Sequence, residues 1–171
     1  VADGTKTEEE AFKIELLMRH EQLSVTDRPA VVAARKREDL TGSPAVALEL
    51  PDGRMIAGKT GELLGPSAAV LLNAIKVLAG IPHEKHIISP TAIEPIQKLK
   101  TQYLGSKNPL LHTDEVLIAL SATASENEDA ALALAQLPAL KGSQVHSSVM
   151  LTAVDRRMFH KLNCDVACEP R

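Results

Sequence analysis

The sequence predicts an α/β domain whose sheet is covered by helices on both faces, with a helical hairpin ahead of it. Three observations predict this class. Apolar spacing switches between the helical period and the strand period along the chain. Helical stretches are punctuated by a proline near the start and a glycine just past the end. A Pro51-Asp52-Gly53 turn separates two short apolar runs. Strands alternating with helices then imply a layered sheet.

Taken in order, TEEEAFKIELLMRHEQL (7–23) reads as an amphipathic helix, with Thr7 and the glutamates suited to its positive N-terminal end. A second helix is predicted from about Asp27 to Leu40, with Pro29 in its first turn and Gly42 beyond its end. The two form a helical hairpin subdomain over 1–43, and 44–171 forms the α/β unit. A β-hairpin is predicted at 45–50 and 54–59. A helix follows, with Pro66 and Ser67 at its start and Gly80 as its stop. HIISP (86–90) is expected to be a short strand, and the next helix to begin near Pro95, since proline is tolerated in a first turn. Helices at about Thr113–Ala124 and Glu128–Leu137, a strand in QVHSSVMLT, a helix in VDRRMFHKL and an edge strand in CDVAC complete the reading.

Composition limits function. The 171 residues are 44% apolar and 24% charged, enough for one domain with a sizeable core. Aromatics are 2%, namely Phe12, Tyr103 and Phe159, so the core must be aliphatic. A net charge of −3 and the lack of stacking aromatics argue against nucleic acid as a partner. The run Arg35-Lys36-Arg37 is followed at once by Glu38-Asp39, as on a solvated helix face. No apolar run approaches the ~18 residues of a membrane span, and two cysteines without a signal sequence fit a reduced, cytoplasmic protein. The opening Val-Ala-Asp-Gly lacks methionine and reads as part of a longer protein.

GRMIAGKT (53–60) fits the phosphate-loop pattern, but that motif needs a helix to start at its lysine. Here Arg54 to Ala57 read as strand, and Gly61, Gly65 and Pro66 follow Thr60, so the match is taken as coincidence. The segment GKTGELLGPSAA delivers a glycine-rich loop to a helix N-terminus. Lys59 and Ser67 could hold an anion there, or Ser67 could simply cap the helix. His160, Cys164 and Cys168 lack the converging set that zinc requires and read as structural, so no metal and no cofactor is expected. His83 and His86 are expected to face solvent.

The densest chemistry lies in LGSKNPLLHTDEVLIAL (104–120). Asp114 and Glu115 suit the first turn of the helix behind the loop. Lys107, Asn108 and His112 have no equally good structural explanation. A histidine near a carboxylate and a lysine can act as general acid or base, or bind an anionic substrate. His112 is therefore the candidate proton-transfer group and Lys107 its electrostatic stabiliser. Asn108, Asp114, Ser67 and Lys59 are candidate ligand contacts.

PDGR, GKT with LLG and LLNA, the block ISP-IEPIQ-LKT-YLGS-NP-LHTDEVLIAL, and the terminal CEP occur in this order. In these residues the chain resembles the C-terminal portion of the DUF1846 family, bacterial proteins of unknown function. The resemblance covers essentially the whole chain and is most specific from Ile88 to Leu120. It implies a helical subdomain followed by a three-layer αβα unit of the cytidine-deaminase-like kind, with a larger N-terminal region of the same protein as a partner. It supplies no established activity. Zinc deaminases pair H-x-E with P-C-x-x-C, and this chain has neither. Metal-free enzymes such as the formyltransferase of purine synthesis share the fold type, an analogy from fold alone.

The leading expectation is a small-molecule site for an anionic or nucleotide-like ligand, binding or metal-independent in its chemistry. The rival is a non-catalytic structural or dimerisation domain that supports the N-terminal region. Its Ala/Leu-rich helices, such as AALALAQLPAL, would pack against a twin subunit.

Overall fold

In the computed structural model, residues 28–170 are described. The helix expected at 7–23 lies outside them. The elements are α1 (Pro29–Thr41), β1 (Ala45–Glu49), β2 (Met55–Lys59), α2 (Pro66–Ala79), α3 (Pro90–Lys98), α4 (Thr113–Ala124), α5 (Glu128–Leu134), β3 (Gln144–Ser147), α6 (Ala153–Lys161) and β4 (Asp165–Cys168).

The four strands form one mixed sheet in the order β2-β1-β3-β4. β1 is antiparallel to both of its neighbours, whereas β3 and β4 are parallel. Side chains alternate across a strand, so Val46 and Leu48 face one layer and Ala47 the other. Val46, Leu48, Ile56 and Val145 join Leu71 and Ile75 of α2, Val116 and Leu120 of α4, Ala130 and Ala133 of α5, and Phe159 of α6 in the main core. On the opposite face, Ala47 packs beneath Ala30 and Ala34 of α1. Alanines on both sides let this helix lie close to the sheet.

The hairpin turn forms as predicted. Leu50 and Arg54 close it, and Asp52 Oδ1 accepts the Arg54 amide at 3.0 Å. Because β2 is strand up to Lys59 and the next helix starts at Pro66, no helix receives the phosphate-loop pattern. Gly58 permits a close approach of α2 to β2, since a Cβ there would lie 2.3 Å from the Val70 nitrogen. Gly80 ends α2 in the left-handed region, φ 72°.

Three expectations are corrected. HIISP is not a strand: residues 86–89 run as loop and turn, with Ile87 and Ile88 buried. The buried Lys76 ammonium donates to the His83 and Lys85 carbonyls, which fastens the loop just ahead of this segment. The next helix begins at Pro90, with Ser89 as its N-cap, and Pro95 lies inside it. The ring removes one ladder donor, and the helix passes into a π-helical turn over Leu99–Tyr103. α5 also stops at Leu134, with a 3₁₀ turn at Leu137–Leu140 taking up Pro138.

Among the described residues no helix is long and apolar enough to cross a membrane. Nor do three or more His, Cys, Asp or Glu side chains there converge as a metal would require.

Candidate functional site

The parallel strands β3 and β4 end on the same edge of the sheet. Ser148, just past β3, exchanges hydrogen bonds with Ala45 at the start of β1, and Thr60, just past β2, donates to the Pro44 carbonyl. The chain leaving β2 at this edge enters α2, and the chain leaving β3 enters α6 through its N-cap Thr152. α4 is drawn to the same place from both sides. Leu111 donates to the Leu63 carbonyl at 3.0 Å and accepts from Gly65 at 3.1 Å, while Thr113 binds Asp155 of α6. The N-termini of α2, α4 and α6 thus gather at the carboxyl ends of β3 and β4, where open α/β sheets place their ligand crevices.

At the centre is a buried carboxylate. Asp155 Oδ1 accepts both the amide of Thr113 at 3.0 Å and its hydroxyl at 2.8 Å. Its Oδ2 lies 3.5 Å from His112 Nδ1, an ion-pair separation rather than a well-formed hydrogen bond. The His112 side chain is 27% exposed against 8% for Asp155, so the ring bridges the buried acid and solvent.

His112 also begins α4 as its N-cap. Its amide donates to Glu115 Oε1 at 2.9 Å, and the same oxygen accepts from Lys100 Nζ at 2.8 Å. Lys100 reaches the Leu110 carbonyl as well. This buried lysine, carried on the π-helical turn, fastens both the end of the loop and the first turn of the helix.

The other predicted residues are placed differently. Asn108 is exposed and builds the loop: its Oδ1 accepts the Leu110 amide at 3.1 Å, and its own amide donates to Ser106 Oγ at 3.1 Å. Lys107 is exposed beside it, with no hydrogen bond or ion pair to another described residue. Asp114 Oδ1 accepts the next amide, that of Glu115, at 2.8 Å, and so serves the helix start as its position suggested. Lys59 is exposed at the end of β2. Ser67 is fully buried in the first turn of α2, whose N-cap is Gly65, so Ser67 does not cap the helix. Its hydroxyl has no hydrogen-bond partner.

His112, Asp114 and the Lys107–Asn108 turn therefore share one loop and helix start, while Ser67 and Lys59 belong to the α2 entry. Sequence reasoning missed Asp155 and Lys100. Thr152-x-x-Asp155 is a local capping signature and looks like one in the sequence. A lysine among Ile96, Leu99 and Tyr103 was the only sign of Lys100.

The N-terminal amides of α4 are not open to an anion. Asp114, Glu115 and Asp155 already occupy its N-terminal amides with carboxylate oxygens, and these negative charges satisfy the positive end of the dipole.

Elsewhere, His160 is exposed, Cys164 is buried and Cys168 half-buried, while His83 and His86 are exposed. On the α1 face, buried His146 contacts Glu169 at 3.2 Å, and Glu169 pairs with Arg35 at 2.7 Å.

The family described as "Domain of unknown function DUF1846, C-terminal" matches residues 26–171. A UPF0371 protein of Streptococcus uberis is 52% identical over 158 residues, which is 92% of this chain and 32% of that protein. Another from Streptococcus sanguinis shows the same identity and coverage. One from Streptococcus pyogenes serotype M5 is 48% identical over 164 residues, 96% of this chain and 33% of its own length. The chain thus spans about a third of the length of the curated relatives it matches. With a match from residue 26 to the last residue, the chain belongs to the DUF1846 family and carries its C-terminal domain.

Proposed function

We propose that the domain contributes a metal-independent proton-transfer centre to a small-molecule site, with His112 as the general acid or base. The observation that carries this reading is the pairing of His112 with buried Asp155 at the carboxyl ends of the parallel strands. With Nδ1 turned to the carboxylate, Nε2 is the ring atom left to meet a ligand. Taking a proton there creates an imidazolium beside Asp155, whose charge stabilises it. Lys107, on the same loop, meets negative charge developing on the ligand. Asn108 and Asp114 contact the ligand from the loop, and Lys59 forms a second contact at the α2 entry, where Ser67 is too buried to join it. An anionic or nucleotide-like ligand fits the unpaired ammonium of Lys107 better than the acid-rich first turn of α4.

The finer fold reading, a cytidine-deaminase-like αβα unit over 44–171 behind a helical hairpin subdomain over 1–43, belongs to the same proposal, with α1 from the 1–43 part covering the second face of the sheet. The helices on both faces of the sheet support it. Cytoplasmic residence is supported by the free cysteines.

A thermal-shift screen of this chain against nucleotides, phosphorylated metabolites and folate-like compounds tests the reading. A ligand at ~100 times its Kd adds about 2.7 kcal/mol of stability. His112→Gln and Lys107→Ala should each weaken the hit at least tenfold. A hit left unchanged by both variants would refute the assignment.

One observation favours the rival class. Tyr103 and Leu104 are 72% and 71% exposed on the π-helical turn and its exit, Leu99 lies beside them, and Ile118 is 66% exposed on α4. Exposed apolar groups of this size mark interaction surfaces. A second copy, or the remainder of a protein as long as the curated relatives, would cover them. Sedimentation equilibrium of wild type and Tyr103→Glu distinguishes a dimer from a monomer.

A further inference from the structure

A cleft of about 380 Å³ opens beside α2, and neither His112 nor Asp155 lines it. Ala69, Leu72 and Lys76 line it from one face of α2, where spacings of three and four bring residues into a row. Leu63 and Leu64 close one side, and Ile87, Ile88 and Ile93 the other. The walls are aliphatic, and the volume lies in the range of small-molecule sites, about 300–1,000 Å³. Lys59, Glu62 and His86, all exposed, border it.

Lys76 is the anomaly in this wall. It is 6% exposed, yet no carboxylate lies within ion-pairing distance among the described residues. Its ammonium donates to two backbone carbonyls, those of His83 and Lys85. An ammonium has three donors, so one N–H is left over. Buried charges in proteins are normally paired, because an unpaired one is costly to desolvate. Burial accordingly pushes the Lys76 pKa down, with Glu84 opposing it only as the lesser influence. A second, smaller cavity of about 180 Å³ touches the same side chain, so its surroundings are loosely filled on two sides.

We infer that this cleft binds a small monoanion with an apolar body, such as a medium-chain or aryl carboxylate, whose charged end pairs with Lys76 and whose body lies on Leu72, Ile87 and Ile88. Lys59 and Glu62 at the border carry opposite charges, so the preference for an anion rests on Lys76. The site does not rest on the His112 reading. A carboxylate supplies the missing counter-charge, whereas an alcohol of equal length supplies only a dipole and an amine brings a second cation.

Isothermal titration of this chain with octanoate, 1-octanol and octylamine tests the assignment. Octanoate is expected to bind at least tenfold more tightly than octanol, and octylamine more weakly than either. Lys76→Met should abolish the octanoate preference while leaving octanol affinity within twofold, and Leu72→Trp should block both by filling the cleft. Removing Lys76 also strips two carbonyls of their donor, so a second readout spares the fold. In wild type, octanoate should shift the amide resonances of Leu72, Ile87 and Ile88 and leave those of Val116 and Phe159 in place. Equal affinity for octanoate and octanol, a preference that survives in a folded Lys76→Met, shifts confined to other residues, or no binding of octanoate to wild type would each overturn the inference.

Discussion

One oxygen of Asp155 accepts both the amide and the hydroxyl of Thr113, at 3.0 and 2.8 Å, across 42 positions of sequence. The bond pair fixes the start of α4 against α6, and with it the ring of His112. Both partners are buried, so neither orphaned donor can turn to water. Asp155→Ala should therefore destabilise the domain by about 1–3 kcal/mol, the usual cost of stranding buried donors. Thr113→Val keeps the amide bond and should cost about 1 kcal/mol. Urea unfolding followed by circular dichroism measures both, and an Asp155→Ala loss no larger than that of Thr113→Val would contradict the arrangement.

Gly58 makes the second prediction. A methyl group there would meet the Val70 nitrogen at 2.3 Å, its Cα at 2.8 Å and the Ala69 carbonyl carbon at 2.9 Å. These are helix backbone atoms and cannot rotate aside. Gly58→Ala must push α2 off β2, an overpacking cost of about 1–3 kcal/mol. Gly53→Ala meets nothing within 4 Å, so any loss there comes from its positive φ alone. Comparing the two by thermal unfolding separates close approach from turn strain.

The reach of the sequence follows from how local each determinant is. The hairpin and α4 were legible because Pro51-Asp52-Gly53 and Thr113-Asp114-Glu115 carry their own turn and capping chemistry. HIISP was not, because Ile87 and Ile88 are buried as loop anchors, and the loop just ahead of them is held by a side chain, Lys76, from another element. A short apolar run cannot reveal that difference. The site divides in the same way. His112 and Asp114 stood out from the crowding of one loop. Asp155 and Lys100 reach it from other elements, and no spacing within the loop points to them.

His146 gives a pH prediction. Burial lowers its pKa from 6.5, and the positive charges of Arg28 and Arg35 act in the same direction, against the hydrogen bond and charge of Glu169. Its Nδ1 is buried without a partner. The folded state thus prefers neutral imidazole more than the unfolded chain does. Its contribution is complete above pH 6.5, falls as pH drops from there towards the lower folded value, and levels off below that. His146→Gln should flatten this part of the profile. Unfolding free energies at about pH 7.5, 6.5 and 5.5 check it, and a wild-type slope equal to that of the variant would remove His146 as the source.

Cys164 gives the last. Its Sγ lies 3.4 Å from the Leu140 carbonyl in the main core, and burial, with Asp165 nearby, pushes the thiol up to about 11. At neutral pH only about one molecule in 10⁴ would carry the thiolate, the form that reacts. Iodoacetamide should therefore leave Cys164 unmodified in the folded protein, and its labelling should begin only as the domain opens. Peptide mapping across a urea series reads this directly. Labelling of Cys164 should track the unfolding curve, because the same packing that hides the sulfur also suppresses its ionisation. Rapid labelling in native buffer would mean that the α6–β4 end of the core opens without global unfolding.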